Sequence, residues 1–249
     1  SYLSINYSNL FLINKDYGYK EKCKMMSLYD IGIWKCYFNN TSAELLVSID
    51  NIKEVNEDFL NSSNHEFNHC LFSDSGEYFL FIYRYKNKGI KYSKLIMVNN
   101  SSSEYPLKVI NNMFISHMCW INDTKIFYFG DSVNGSRGYY IYDILKDKSE
   151  KVMDKNLNDG HPSIDVTKKW IILDSYPNKK HNSYLYLYNI EKMEIVDVGI
   201  FKSNINLHGY NRCDLHPRWN NKGTKVMIDS SHNGKRYPVV IDLSEIVSE

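Results

Sequence analysis

Apolar and polar residues recur in one register in four segments of the chain, and each segment begins at a histidine. The segments are HCLFSDSGEYFLFIYR from His69, HMCWINDTKIFYFGD from His117, HPSIDVTKKWIILDSYP from His161 and HPRWNNKGTKVMIDSSH from His216. An apolar residue stands three, ten and twelve positions after each histidine. A polar turn, such as residues 74–76 in the first copy, separates the first apolar position from the other two. This pattern predicts a β-hairpin in each copy.

Each hairpin is followed by another stretch of alternating residues. These stretches are YSKLIMV from Tyr92, YYIYDI from Tyr139, SYLYLYNI from Ser183 and YPVVIDL from Tyr237. Three or four short strands in a unit of roughly 45 residues are typical of a β-propeller blade. A helical or leucine-rich repeat would need a sustained 3.6-residue period, which the chain lacks. We therefore predict an all-β fold, a β-propeller of four-stranded blades.

The chain is long enough for about five blades. Its first 50 residues, which include FLINKD and GIWKCYFNNTSAELLVSI, fit an irregular blade, and residues 50–59 fit a short helix or an excursion. We expect a single propeller domain over residues 1–249, with blades at roughly 1–60, 61–110, 111–156, 157–205 and 206–249. Because the sequence does not begin with Met, a six- or seven-bladed parent truncated at its N-terminus fits equally well.

Charge and composition narrow the classes of partner. Lys and Arg number 30, Asp and Glu number 29, and the formal net charge is +1. So small a net charge provides no field that would draw the chain onto nucleic acid or an anionic membrane. The 21 tyrosines and 11 phenylalanines favour half-buried strands. No apolar run approaches the ~18 residues of a membrane helix, so we expect no membrane span and no nucleic-acid partner.

Cysteine usage bears on the compartment. The cysteines are odd in number and widely spaced, at Cys23, Cys36, Cys70, Cys119 and Cys213. A disulfide framework is therefore not expected, and a reducing compartment such as the cytoplasm is favoured. A signal peptide upstream of this sequence would instead imply the periplasm.

Four histidines in the same register predict that their side chains converge at one end of the propeller axis. A neutral imidazole can bind a metal ion, and it is the side chain that titrates nearest pH 7. Such a ring could therefore hold a metal or transfer protons. The alternative is structural, since a repeated histidine in WD-like repeats can hydrogen-bond a turn aspartate within its own blade.

Polar residues are concentrated around the last two histidines. DGHPS and DSYP surround His161, whereas RCDLHPRW and DSSH surround His216. Burying so many polar groups costs several kcal/mol unless each has a partner, so a functional site is the simpler explanation. The candidate metal ligands are His161, Cys213, Asp214, His216 and His232. Their types suit a divalent ion such as Mn²⁺ or Zn²⁺, and no nucleotide cofactor is expected.

These motifs resemble the oligogalacturonate lyase and TolB-like β-propeller superfamily over about four blades, with the repeat from His69 to Gly76 nearest to the family pattern. A polar residue shortly before His-Pro in the last blade, after a histidine in the preceding blade, looks like the metal-binding arrangement of the lyases. Cys213 or Asp214 would be the polar ligand, with His161 and His216. Arg218 stands where the lyase pattern has a second histidine. DGHPS and RCDLHPRW also resemble uncharacterised bacterial propellers.

The resemblance implies a carbohydrate-active protein that cleaves uronate-containing oligosaccharides or polysaccharides by β-elimination. Such a reaction needs a group that neutralises the substrate carboxylate, a base and an acid. The candidates for the neutralising group are Arg84, Arg212 and Arg218. The candidate bases are His69 and His117, and the candidate acid is Tyr176.

Two other functions remain open. A noncatalytic module could recognise a glycan or a protein partner at the same rim, since aromatic faces suit both ligands. A hydrolase would use paired carboxylates. The candidate carboxylates are Asp159, Asp174, Asp214 and Asp229.

Overall fold

A computed structural model describes residues 1–15, 31–39, 41–132, 134–153 and 157–248. Its strands form five antiparallel sheets, and neighbouring strands in each sheet follow one another along the chain. Three sheets have four strands; the first and the fifth have three within the described ranges. A series of such meanders is the blade pattern of a β-propeller, so the predicted fold class is confirmed.

The strands have the following bounds. The first sheet contains β1 (Tyr2–Ile5), β2 (Gly32–Cys36) and β3 (Ala43–Ser48). The second contains β4 (Ser62–Phe72), β5 (Tyr78–Asn87), β6 (Ile90–Asn99) and β7 (Leu107–Asn111). The third contains β8 (Ile115–Asn122), β9 (Lys125–Asp131), β10 (Arg137–Asp143) and β11 (Lys148–Lys151). The fourth contains β12 (Pro162–Ile164), β13 (Trp170–Asp174), β14 (Asn182–Asn189) and β15 (Glu194–Lys202). The fifth contains β16 (Arg218–Trp219), β17 (Lys225–Ser230) and β18 (Tyr237–Asp242).

Helices are short. They are α1 (Tyr7–Ile13), α2 (Ile49–Val55) and α3 (Ser244–Val247), with 3₁₀ turns at Phe59–Asn61 and Gly209–Asn211. Ser48 and Asn51 form a capping box that starts α2, where the sequence predicted a helix or an excursion. The described residues between 113 and 177 contain no helix. Among the described helices, none has the length and apolar character to cross a membrane.

The chain divides into two compact units. Unit 1 comprises Ser1–Ile115 and Asp131–Gly135, and unit 2 comprises Ser116–Gly130 and Ser136–Glu249. The first two sheets belong to unit 1. The third, fourth and fifth sheets belong to unit 2, except for the first residue of β8 and the last residue of β9.

The predicted apolar register is confirmed in the second strand of four sheets. The residues ten and twelve positions after each histidine are all at most 4% exposed: Phe79, Phe81, Phe127, Phe129, Ile171, Leu173, Val226 and Ile228. Alternate residues of a strand point to the same face, so each pair enters one core. Phe79 and Phe81 belong to the core of unit 1. In unit 2 one core joins the third and fourth sheets, and another joins the fourth and fifth.

The turns between first and second strands also follow the sequence. Gly76 and Gly223 have φ values of 74° and 67°, in the left-handed region that favours glycine. The polar turns predicted before β5 and β17 are therefore present.

Truncating a core position should be costly, whereas truncating an exposed position should not. We expect Leu173→Ala to lower the free energy of unfolding by about 2–5 kcal/mol, because Leu173 is fully buried between two sheets. Leu145→Ala is the matched control, since Leu145 is 81% exposed. Urea unfolding curves of the two variants provide the measurement. Equal stability would contradict the core assignment.

Candidate functional site

Three of the four repeated histidines lie together in unit 2. His117 lies in β8, His161 directly precedes β12, and His216 lies two residues before β16. These are the first strands of the third, fourth and fifth sheets. The ring centroids of His117 and His161 are 4.2 Å apart, and those of His161 and His216 are 3.7 Å apart. We refer to these three residues as the histidine cluster.

Two further candidates from the sequence, the fourth repeated histidine and one arginine, lie in unit 1. His69 lies in β4 with a φ of 51°, and its backbone N–H donates to Asn68 Oδ1 at 2.9 Å. Arg84 lies in β5, opposite Glu66 in the strand register. Their proposed roles in catalysis remain predictions.

The carboxylate of Asp174 is shared by two members of the cluster. His161 donates its backbone N–H to Asp174 Oδ1 at 2.5 Å, and its ring Nδ1 lies 2.9 Å from Oδ1 and 3.0 Å from Oδ2. His216 donates its backbone N–H to Asp174 Oδ2 at 2.9 Å. Asp174, at the end of β13, is only 1% exposed. One buried carboxylate therefore holds two segments that enter neighbouring sheets.

These hydrogen bonds determine the charge of Asp174. Burial alone would raise the pKa of this carboxyl, but the bonds from the His161 ring and from the two backbone N–H groups hold the pKa below its usual range. The group is thus an ionised acceptor near neutral pH. Nδ1 of His161 is then the donor in this contact, so Nε2 is the ring nitrogen that is left for another partner.

Gly160 lets the chain pass close to Asp174. A Cβ at this position would lie 1.8 Å from the Asp174 carbonyl oxygen and 2.7 Å from its Oδ1. Only glycine fits this contact. The glycine of DGHPS is therefore needed to bring His161 onto its acceptor.

His117 has its own carboxylate partner. Its Nδ1 lies 2.9 Å from Asp159 Oδ1 and 3.0 Å from Ser116 Oγ. The residue is 6% exposed. Burial lowers the pKa of His117, and the neighbouring His161 lowers it further, against the opposing effect of Asp159. His117 is therefore neutral near pH 7.

A candidate metal site is formed by His161, Asp214 and His216, which each offer one ligand atom within 4.8 Å of the others. Asp214 is 8% exposed, and its Oδ2 accepts a hydrogen bond from Arg212 Nε at 2.8 Å. Its Oδ1 is buried and has no hydrogen-bond partner among the residues that the structure describes. A buried carboxylate oxygen normally has a partner, so this atom is suited to a cation.

The donors at this site fit a divalent ion. Metal binding requires neutral imidazoles. Partial burial lowers the pKa of His216, as does the adjacent His161. The Asp174–His161 bond fixes the ring in the way that carboxylates fix metal-binding histidines. Two imidazoles and one carboxylate suit Mn²⁺ or Zn²⁺.

Tyr176 and Arg212 adjoin the histidine cluster. The ring centroid of Tyr176 lies 5.5 Å from that of His161 and 6.0 Å from that of His117. Arg212 Cζ lies 5.3 Å from the centroid of the Tyr176 ring. A phenol, a guanidinium and three imidazoles are thus brought together within unit 2.

The remaining candidates in unit 2 have other partners. Arg218 forms an ion pair with Asp229 at 3.0 Å. Cys213 is 6% exposed, and burial raises the pKa of its thiol. His232 contacts Ser230 and Tyr237 through its ring nitrogens, at 2.6 and 2.7 Å. Neither Cys213 nor His232 belongs to the three-residue metal site, and their proposed role as ligands remains a prediction.

Asp159, Gly160 and Asp174 position the histidines, a role that was not predicted from the sequence. A repeated spacing could have indicated them. Aspartate stands two residues before both His161 and His216, and another stands thirteen residues after each. For the hydrolase alternative, Asp174 does not suit the general acid, because that group needs a raised pKa whereas the pKa of Asp174 is lowered.

Comparison with known proteins shows the fold. No family model and no curated protein matches the chain. Its structure is similar to TolB from Acinetobacter baumannii, with a TM-score of 0.57 and 11% identity over 86% of this chain; the match covers 47% of TolB, about half its length. It is also similar to an oligogalacturonate lyase in complex with manganese, with a TM-score of 0.52 and 10% identity. That match covers 88% of this chain and 73% of the lyase. A prolyl endopeptidase is similar with a TM-score of 0.55 and 11% identity, and the match covers 88% of this chain and 31% of the endopeptidase.

The predicted resemblance to TolB and oligogalacturonate lyase is therefore confirmed at the level of structure. At such low identity the likeness establishes the fold alone. The proteins compared have different functions, so the activity must be inferred from the residues of the site.

Adding a methyl group at position 160 should disrupt the contact with Asp174. We expect Gly160→Ala to lower the free energy of unfolding by about 1–3 kcal/mol through overpacking. Gly199→Ala is the control in the same sheet, since a Cβ there would meet only the Phe201 ring, at an ordinary 3.4 Å. Thermal unfolding compares the two. A Gly160→Ala protein as stable as the control would contradict the close approach.

Replacing Asp174 should weaken metal binding without removing a ligand. Asparagine replaces one of the two acceptor oxygens by an NH2 donor, which would face an N–H group of one histidine segment. We expect Asp174→Asn to reduce the affinity for Mn²⁺ about 10- to 100-fold, as measured by calorimetry. The exposed Asp50→Asn is the control. An unchanged affinity would show that Asp174 does not position the ligands.

Proposed function

We propose that the chain binds uronate-containing oligosaccharides or polysaccharides and cleaves them by β-elimination, with a divalent ion held by His161, Asp214 and His216. The observation that carries the proposal is the buried Oδ1 of Asp214, which has no partner within the described part of the chain and belongs to a carboxylate close to two imidazoles. The likeness in fold to a manganese-bound oligogalacturonate lyase supports it. When bound, a divalent ion supplies positive charge that neutralises the carboxylate of the substrate.

Proton removal falls to His117. In the elimination, a base takes the proton from the carbon next to the carboxylate, a carbon–carbon double bond forms, and the glycosidic carbon–oxygen bond breaks. His117 is neutral near pH 7 because burial lowers its pKa. Its Nδ1 is engaged by Asp159, so Nε2 is the atom that accepts the proton.

The leaving oxygen needs a proton, which Tyr176 supplies. Its ring lies beside those of both His117 and His161. Arg212, which stacks over Tyr176 and bonds Asp214, adds positive charge for the substrate carboxylate. Arg218, which was also predicted for this role, forms an ion pair with Asp229.

The alternative is a noncatalytic module that binds a glycan or a protein partner through the same residues. A likeness in fold to TolB and to an oligogalacturonate lyase does not distinguish this module from the lyase. The two functions differ in one observable property, which is the formation of an unsaturated uronate product.

The test combines metal analysis of the purified protein with an absorbance assay for unsaturated uronate on a panel of acidic polysaccharides. We expect His117→Gln to keep the metal and to lower kcat at least about 100-fold, the usual size of a general-base contribution. His216→Ala should lose both metal and activity. His208→Ala, at an exposed position, is the control and should lose neither.

Two results would overturn the lyase. Metal binding without product from any polysaccharide would favour the binding module. Full activity in His117→Gln would remove this residue as the base.

A further inference from the structure

The hydroxyl of Tyr139 connects the core of unit 2 to the chain just before His161. Tyr139 lies in β10 and is 2% exposed. Its ring stacks on Phe127 with a centroid separation of 5.1 Å, and it meets the ring of Phe129 edge-on at 4.9 Å. The hydroxyl donates a hydrogen bond to the carbonyl oxygen of Asn158 at 3.2 Å. Two packed rings thus fix the donor that holds this carbonyl.

Residues 158–161, which we call the bridging segment, contact the proposed base and acid and include a candidate metal ligand. The side chain of Asp159 lies 2.9 Å from Nδ1 of His117, the proposed base. The carbonyl oxygen of Asp159 accepts the backbone N–H of Tyr176, the proposed acid, at 3.2 Å. The segment ends at His161, the candidate ligand. The position of this one segment therefore affects how the base, the acid and the ligand are placed.

The bridging segment is bonded to both the third and the fourth sheets. Its bonds to Tyr139 and His117 hold it to the third sheet. The bond from Tyr176 and the close contact of Gly160 with Asp174 hold it to the fourth. Without the Tyr139 hydroxyl, its attachment to the third sheet would depend on His117 itself. A movement of the segment would then displace the proposed base.

The first residue of the segment is exposed to solvent. Because Asn158 is exposed, its carbonyl oxygen can accept a hydrogen bond from water once the hydroxyl is removed. Loss of the hydroxyl should therefore cost little stability, although it removes the bond that fixes the distance between the segment and the third sheet. Reacting groups are sensitive to such changes, since a misplacement of about 1 Å can lower a rate about 100-fold.

We propose that Tyr139 is a positioning residue, whose hydroxyl places His117 and His161 relative to each other through the bridging segment. It acts through this segment and not on a substrate or an ion. The inference rests on the proposed function for the reaction that the two histidines serve. Their placement, however, is a property of the metal-free protein, so it can be tested separately.

The test removes one oxygen atom from the core. Tyr139→Phe loses the hydroxyl and keeps the ring against Phe127 and Phe129. Tyr140→Phe is the matched control, because Tyr140 is the next residue of β10, is 4% exposed, and donates its hydroxyl to the Ser136 carbonyl. Adjacent residues of a strand point to opposite faces, so Tyr140 lies on the other face of the sheet. Thermal unfolding should show intact folds of similar stability in both variants.

The first measurement needs neither a metal nor a substrate. In protein with isotope-labelled histidine, the Nδ1 proton of His117 that Asp159 accepts should be protected from exchange with water, which nuclear magnetic resonance detects. We expect Tyr139→Phe to lose this protected resonance, because the segment no longer holds Asp159 against the ring. Tyr140→Phe should keep it.

The second measurement uses Mn²⁺ alone and then a substrate. We expect Tyr139→Phe to bind Mn²⁺ about 10-fold less tightly by calorimetry, the scale found for residues that orient metal ligands. With a polysaccharide that gives product, kcat should fall about 10-fold while KM stays the same, because the loss falls on the chemical step. Tyr140→Phe should change none of these quantities.

The outcomes separate this inference from the proposed function. A protected His117 proton or an unchanged Mn²⁺ affinity in folded Tyr139→Phe would overturn the positioning role, and equal losses in Tyr140→Phe would overturn it too. Neither result would affect the lyase proposal. If no polysaccharide gives product, the lyase proposal fails, whereas a loss of the protected proton in Tyr139→Phe alone would still support the positioning role.

Discussion

The candidate site depends on one buried carboxylate. Asp174 accepts hydrogen bonds from the His161 ring and backbone and from the backbone of His216. The two histidines precede the first strands of neighbouring sheets, so Asp174 fixes the position of one sheet's edge against that of the next. A carboxylate that is 1% exposed would be costly without these partners. The same bonds that stabilise it therefore arrange the imidazoles.

The chemistry follows from how each carboxylate is satisfied. Asp174 has donors for both oxygens, and Asp159 is engaged by His117. In Asp214, by contrast, Arg212 binds one oxygen, and the other is buried with no partner in the described ranges. That difference separates positioning carboxylates from a candidate ligand. Aspartates with the same spacing to a histidine thus have different roles, because their surroundings differ.

The sequence predicted the repeat and the convergence of four histidines, because both follow from a periodic pattern of apolar residues. His117, His161 and His216 lie together in unit 2, and the place of His69 in the ring remains a prediction. It did not predict which polar neighbour faces the histidines. Cys213 and Asp214 are adjacent, yet only Asp214 joins the metal site. His216 has a φ of 42°, in the left-handed region. Residues other than glycine rarely adopt this conformation, so the sequence pattern does not predict it. Such local backbone geometry decides where each side chain points.

The proposed function requires that His161, Asp214 and His216 together bind a divalent ion. Anomalous diffraction from crystals grown with Mn²⁺ would locate that ion. We expect a single strong peak within bonding distance of a ring nitrogen of each histidine and of a carboxylate oxygen of Asp214. A peak at Cys213 or His232 instead, or none beside Asp214, would contradict it.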